Sequence, residues 1–128
     1  MMRMISDKNG PRAPNILFST LGGVCGALAI IAYAASAHSG ASQLGIIAPL
    51  LLGHAPALLV LSIFAPLSRA ALLGGVLLIV GLMLFCGSLL YLELIGNRLF
   101  PYSAPLGGIL MIIGWLTAST TGWFSKKA

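Results

Sequence analysis

Charge is what this chain lacks. Of its 128 residues, seven are Lys or Arg and two are Asp or Glu, 7% in all, where a soluble domain carries about 25%. So few charges cannot coat a globule in water, and a soluble enzyme is excluded. An apolar share of 59% excludes a disordered chain. Two cysteines are too few for a secreted disulfide scaffold. No nucleophile–base–acid set, phosphate loop or cofactor motif is present, so no catalytic residue, cofactor site or enzymatic activity is expected.

What the chain has instead is long uncharged apolar stretches. A hydrocarbon core about 30 Å thick is crossed by about 20 residues of helix. Four stretches meet that length, at about residues 16–37, 44–65, 70–92 and 104–121. Between them lie His38-Ser39-Gly40-Ala41-Ser42, Pro66-Leu67-Ser68-Arg69 and Gly96-Asn97-Arg98-Leu99-Phe100-Pro101, all rich in turn formers. Connections this short make consecutive helices antiparallel neighbours. The expected fold is an all-α membrane protein, with four transmembrane helices in an antiparallel bundle over residues 16–124. A disordered cytoplasmic arm, carrying Gly10, Pro11 and Pro14, is expected over residues 1–15. The basic leader and the apolar run closing on Ala35-Ser36-Ala37 resemble a cleaved signal. The run is too long at about 20 residues, against roughly 7–15 for a signal core, so the first helix is expected to be retained.

Orientation follows from Lys and Arg, which stay on the cytoplasmic face. Four crossings put Arg3, Lys8, Arg12, Arg69, Lys126 and Lys127 on one side and Arg98 on the other, so both termini are expected in the cytoplasm. Trp123 and Phe124 then fall at the inner interface, and Tyr91, Phe100 and Tyr102 at the outer one. Topology and anionic headgroups account for the net charge of +5. The expected partner is the lipid bilayer, and nucleic acid is not needed to explain the charge.

Within lipid, small residues let helices approach closely. Gly22 and Gly26 make such a pair in the first helix, and Gly74, Gly81 and Ser88 recur every seven residues in the third. Gly114, Ala118 and Gly122 line one face of the fourth, with Gly107 on nearly the same face. These are expected to be packing faces within the chain, or between copies of it. Leu-Gly-Gly followed by Val or Ile at 21–24, 73–76 and 106–109, with Ala-Pro-Leu at 48–50 and 104–106, is what a duplicated hairpin would leave. Chance also produces such matches in so apolar a chain.

An ionisable side chain in a span is costly and points to function. Glu93 lies about 35 Å along the helix from Arg69, at the outer interface, where Arg98, His38 or Asn97 is its expected partner. His54 lies about 15 Å into the second span, near the bilayer centre. Its ring has one donor and one acceptor to satisfy when neutral, so a bond to a neighbouring helix is expected, with proton relay or metal ligation as the functional alternatives. Pro56 takes away the amide that the Leu52 carbonyl would use, which permits a kink. His38, His54, Glu93 and Arg98 are therefore the candidate functional residues. A metal site built from His38, His54, Cys86 and Glu93 fails on depth. Cys25 and Cys86 differ in depth by about 10 Å, beyond the ~7 Å limit for a disulfide. Both are expected to act as small buried apolar residues.

The segment Leu84-Phe85-Cys86-Gly87-Ser88-Leu89-Leu90-Tyr91, followed by Ala104-Pro105-Leu106-Gly107-Gly108 and Gly114-Trp115, resembles the bacterial domain-of-unknown-function family 423. That family consists of small four-helix membrane proteins with relatives among mitochondrial transmembrane proteins. Ala34-Ala35-Ser36-Ala37-His38 corresponds to its histidine closing the first helix, and His54-Ala55-Pro56-Ala57-Leu58-Leu59 to its second histidine. There are departures. Tyr33 and Ser36 stand where the family tends to use glycine, and Pro49-Leu50-Leu51-Leu52 replaces the polar residues usual before the second histidine. A polar site around His54 is poorer for it. The resemblance implies the bacterial inner (plasma) membrane and supports four helices, but it lends no mechanism.

The function expected is that of a non-enzymatic accessory or structural membrane component, docking on other membrane proteins or on itself. The alternative is a small solute or proton-coupled transporter acting as an oligomer. Small multidrug-resistance transporters are of this size, but they depend on a glutamate deep in the first helix. Residues 16–37 contain no carboxylate.

Overall fold

The computed structural model describes residues 11–124. It has helices α1 (Ile16–Ser39), α2 (Leu44–Phe64), α3 (Arg69–Ile95) and α4 (Ser103–Ser119), then the single turn α5 (Thr121–Phe124). Counting α4 and α5 as one stretch, Ser103–Trp123, four helices are long and apolar enough to cross a membrane.

Caps fix the ends. The Asn15 side chain accepts the Phe18 amide at the start of α1, and Ser68 does the same for Ala71 in α3. At the other ends Gly40 (φ 69°) and Gly96 (φ 85°) take the left-handed conformation that stops a helix at little steric cost. Both helices therefore run past the expected residues 37 and 92, to Ser39 and Ile95. In contrast, α4 stops short of 121. The hydroxyls of Ser119, Thr120 and Thr121 turn back on the carbonyls of Leu116, Thr117 and Ala118 at 2.6, 2.7 and 2.6 Å. Local bonds of this kind compete with the helical ladder.

The expectation of a disordered arm over residues 1–15 is corrected for its last residues; residues 1–10 lie outside the described part. The Asn15 amide donates to the Ser62 carbonyl at 2.7 Å, and the Arg12 guanidinium to the Pro66 carbonyl at 2.7 Å. The Ser62 carbonyl is in the last turn of α2, where a helix has acceptors to spare, and Pro66 follows in the turn just beyond it.

The helices pack chiefly as α1 on α2 and α3 on α4, joined along α2 and α3. Backbones touch at the glycines. A Cβ on Gly81 would stand 2.7 Å from the Gly107 carbonyl oxygen and the Met111 nitrogen, and one on Gly107 2.6 Å from the Phe85 nitrogen. Gly74 meets Ala118, Gly114 meets Leu78, and Gly22 meets Ala55 and Leu59. Gly26 is looser, its Cβ position 3.6 Å from that of Ala55. Ser88 is buried with its hydroxyl on the Leu84 carbonyl. Gly122 is a correction. It follows the break at Thr120, and nothing lies within 4 Å of where its side chain would be. The close contact missing from the sequence reading is Gly75, which faces the ring of the buried Phe18 and ties α1 to α3.

Cys25 on α1 is half-buried and Cys86 on α3 is buried. Both thiols are free. The hairpins do not share one register. Carrying the Ala48-to-Ala104 correspondence onto the neighbours of Gly22 points to Met111 and Trp115, whereas Gly74 meets Ala118.

Large apolar side chains face outward on the helices: Ile16, Leu94, Ile30 and Met83 are exposed by 80%, 72%, 68% and 68%. A surface of this kind suits lipid and not water.

Candidate functional site

Of the four candidate side chains, His54 has the most definite surroundings. It sits mid-way along α2 and is 6% exposed. Its Nδ1 is 2.7 Å from the Leu50 carbonyl, and its Nε2 is 3.1 Å from the indole nitrogen of Trp115 on α4. A carbonyl can only accept and an indole N–H can only donate. The neutral tautomer with the proton on Nδ1 satisfies both contacts. The rings lie 5.6 Å apart, tilted by 57°. His54 thus bonds a neighbouring helix, and α2 meets α4 through it.

Trp115 is the residue that the sequence reading did not pair. The available signal was depth: it lies about 18 Å into α4 and His54 about 15 Å into α2, and an indole N–H at that depth in lipid needs an acceptor. Replacing Trp115 with Phe keeps the ring and removes the donor. The expected result is a loss of about 1 kcal/mol in detergent-micelle unfolding, within the range of interhelical bonds in membranes. In a His54→Ala background the same change should cost nothing further. Fully additive losses would refute the bond.

Glu93 does not pair with Arg98, His38 or Asn97. Its Oε2 accepts the backbone amide of Gln43 at 3.0 Å. Gln43 is the N-cap of α2, and its own side chain makes no capping bond. A helix start presents free amides and partial positive charge, so a carboxylate is a fitting partner there. Glu93, half-buried in the last turn of α3, therefore caps α2 from another helix.

His38 is exposed in the last turn of α1. Arg98 is exposed between α3 and α4 and borders a cavity with Ser103. The four candidates therefore do not converge. Among the described residues no three His, Cys, Asp or Glu side chains gather as a metal site. A larger groove of about 510 Å³ runs between α2 and α4, lined by Gly53, Pro56, Ala57 and Trp115 among others; His54 is not part of its lining.

Four lipid-suited helices, glycine-mediated backbone contacts and a satisfied His–Trp pair at mid-span define a small multi-pass helical membrane protein. Residues 49–108 match the model of a family described as "Protein of unknown function (DUF423)", and the resemblance drawn from the sequence is borne out. A UPF0382 membrane protein of Staphylococcus epidermidis is 48% identical over 42 residues, which are 33% of this chain and 34% of that protein. A UPF0382 membrane protein from another strain of that species matches to the same extent. The chain spans about a third of the length of these curated relatives in the match. No solved structure matches it.

Proposed function

We propose that this chain is a non-enzymatic structural or accessory component of the bacterial inner membrane. It is an antiparallel four-helix bundle with both termini in the cytoplasm, and it acts by docking helices against other membrane proteins or a second copy. The observation that carries this is the closure of its polar groups within the span region. Both His54 nitrogens are engaged, and the Ser62, Ser88 and Thr117 hydroxyls bond carbonyls of their own helices. Among the described residues every fully buried side-chain nitrogen or oxygen has a partner. Ionisable groups that carry ions or polar solutes face a water-filled path, and His54 lines neither the groove between α2 and α4 nor the cavity at Arg98.

The antiparallel arrangement is supported by contact order. Ser36 lies near Gly45 while Gly22 lies near Ala55, and Gly81 faces Gly107 while Gly74 faces Ala118. Orientation rests on the basic residues: Arg12 and Arg69 near the starts of α1 and α3, with Arg3, Lys8, Lys126 and Lys127 outside the described residues, against Arg98.

Reconstitution in liposomes tests the reading. Proton and cation flux are expected to equal those of empty vesicles. A flux that His54→Ala or Glu93→Gln abolishes would establish the transporter instead. In whole cells, an impermeant thiol reagent should leave Ile5→Cys and Lys127→Cys unlabelled once Cys25 and Cys86 are replaced by alanine. Labelling of either overturns the orientation.

A further inference from the structure

Where α3 gives way to α4, a cavity of about 220 Å³ lies between Leu89 and Leu92 on one side and Ala104 and Pro105 on the other. That is several times the ~30 Å³ of one water molecule. Among the described residues Arg98 is the only charged side chain lining it. Ser103, the first residue of α4, is 4% exposed and lines the same cavity. Among the described residues its hydroxyl has no hydrogen-bond partner, whereas every side-chain polar atom fully cut off from solvent has one.

The backbone around Ser103 is equally open. α4 starts from Tyr102, held in the left-handed region (φ 64°), with no side-chain cap. The Ser103 amide goes to the Phe100 carbonyl and the Leu106 amide to that of Tyr102. Proline at 105 has no amide, so the free donor of this turn is Ala104. Arg98, Ser103 and Ala104 line one space, and no carboxylate of the described residues lines it with them. Guanidinium and helix-start amides are the groups that bind phosphate oxygens.

We propose that this cavity binds a phosphate group. Arg98 pairs with its charge, the Ser103 hydroxyl and the Ala104 amide donate to its oxygens, and Leu89, Leu92 and Pro105 face whatever carbon chain is esterified to it. The site stands at the end of two spans, at headgroup depth. A phospholipid headgroup and free phosphate share this chemistry. The inference does not depend on the docking role proposed above.

Native mass spectrometry of the full chain in non-ionic detergent tests it, with phosphatidylglycerol, diacylglycerol and inorganic phosphate as separate probes. Phosphatidylglycerol should bind and diacylglycerol should not. Arg98→Gln should weaken binding about tenfold, as loss of a charge-assisted bond does, and Ser103→Ala about threefold. Arg98 is exposed, so its replacement leaves the fold intact, and circular dichroism verifies that. Phosphatidylglycerol that millimolar phosphate cannot displace identifies a lipid site. Arg98-dependent binding of inorganic phosphate alone identifies a free-anion site. Equal retention of phosphatidylglycerol by wild type and Arg98→Gln, or equal binding of diacylglycerol, overturns the proposal.

Discussion

Replacing Gly81 or Gly107 with alanine is expected to destabilise the bundle by about 3 kcal/mol, the upper part of the range for overpacked sites. The added methyl at 81 would stand 2.7 Å from backbone atoms of residues 107 and 111, and the one at 107 would stand 2.6 Å from the Phe85 nitrogen. Backbone cannot rotate aside as a side-chain tip can, so α3 and α4 must separate along their length. Each loses dispersion contacts that hydrophobic driving force does not replace in lipid. Gly87→Ala is the matched control. It lies on the same helix with open space around it, and alanine there should gain about 0.8 kcal/mol from helix propensity. Unfolding of all three variants in mixed micelles reads the comparison. Similar stabilities for Gly81→Ala and Gly87→Ala would mean that α3 and α4 do not meet at Gly81.

Phe18→Ala is expected to cost about 3–4 kcal/mol, as for other fully buried phenylalanines. Phe18 is 1% exposed, and its ring lies over Gly75, holding the first hairpin to the third helix. The converse change is as informative. A methyl on Gly75 would overlap that ring, so Gly75→Ala should be destabilising by itself. Shortening the ring with Phe18→Leu should relieve the overlap. The double variant is then expected to be more stable than the sum of the single losses predicts by at least about 1 kcal/mol, a coupling of the size seen between residues in contact. Strict additivity in the same micelle titration would show that the two residues do not touch.

Span number was legible because lipid thickness imposes a length that four uncharged stretches meet, and positions of the helix ends were legible to within a few residues. Where those ends moved, caps decided: Gly40 and Gly96 lie beyond the apolar runs but still govern where the backbone turns. Gly81, Gly107 and Gly114 showed themselves through spacing, since a packing stripe repeats along one helix. Gly75 did not, because its partner is a single aromatic ring on a non-adjacent helix, and no periodicity records such a contact. The same holds for Glu93. Charge logic pointed to Arg98 or His38, but the partner is the Gln43 amide, a backbone group present at every position and so invisible in a residue pattern. His54 was singled out by depth and composition. Trp115 became its partner only once the third helix had fixed where the fourth one stands.

The clasps on α2 bear on the order in which the chain is completed during synthesis. The carbonyls at and just beyond its far end meet Asn15 and Arg12, which have already left the ribosome by the time α2 emerges. The amide at its beginning must wait for a carboxylate 50 residues downstream. Until the third span has been inserted, the second is therefore fastened at one end alone. A product truncated before Glu93 leaves the Gln43 amide without the carboxylate that caps it.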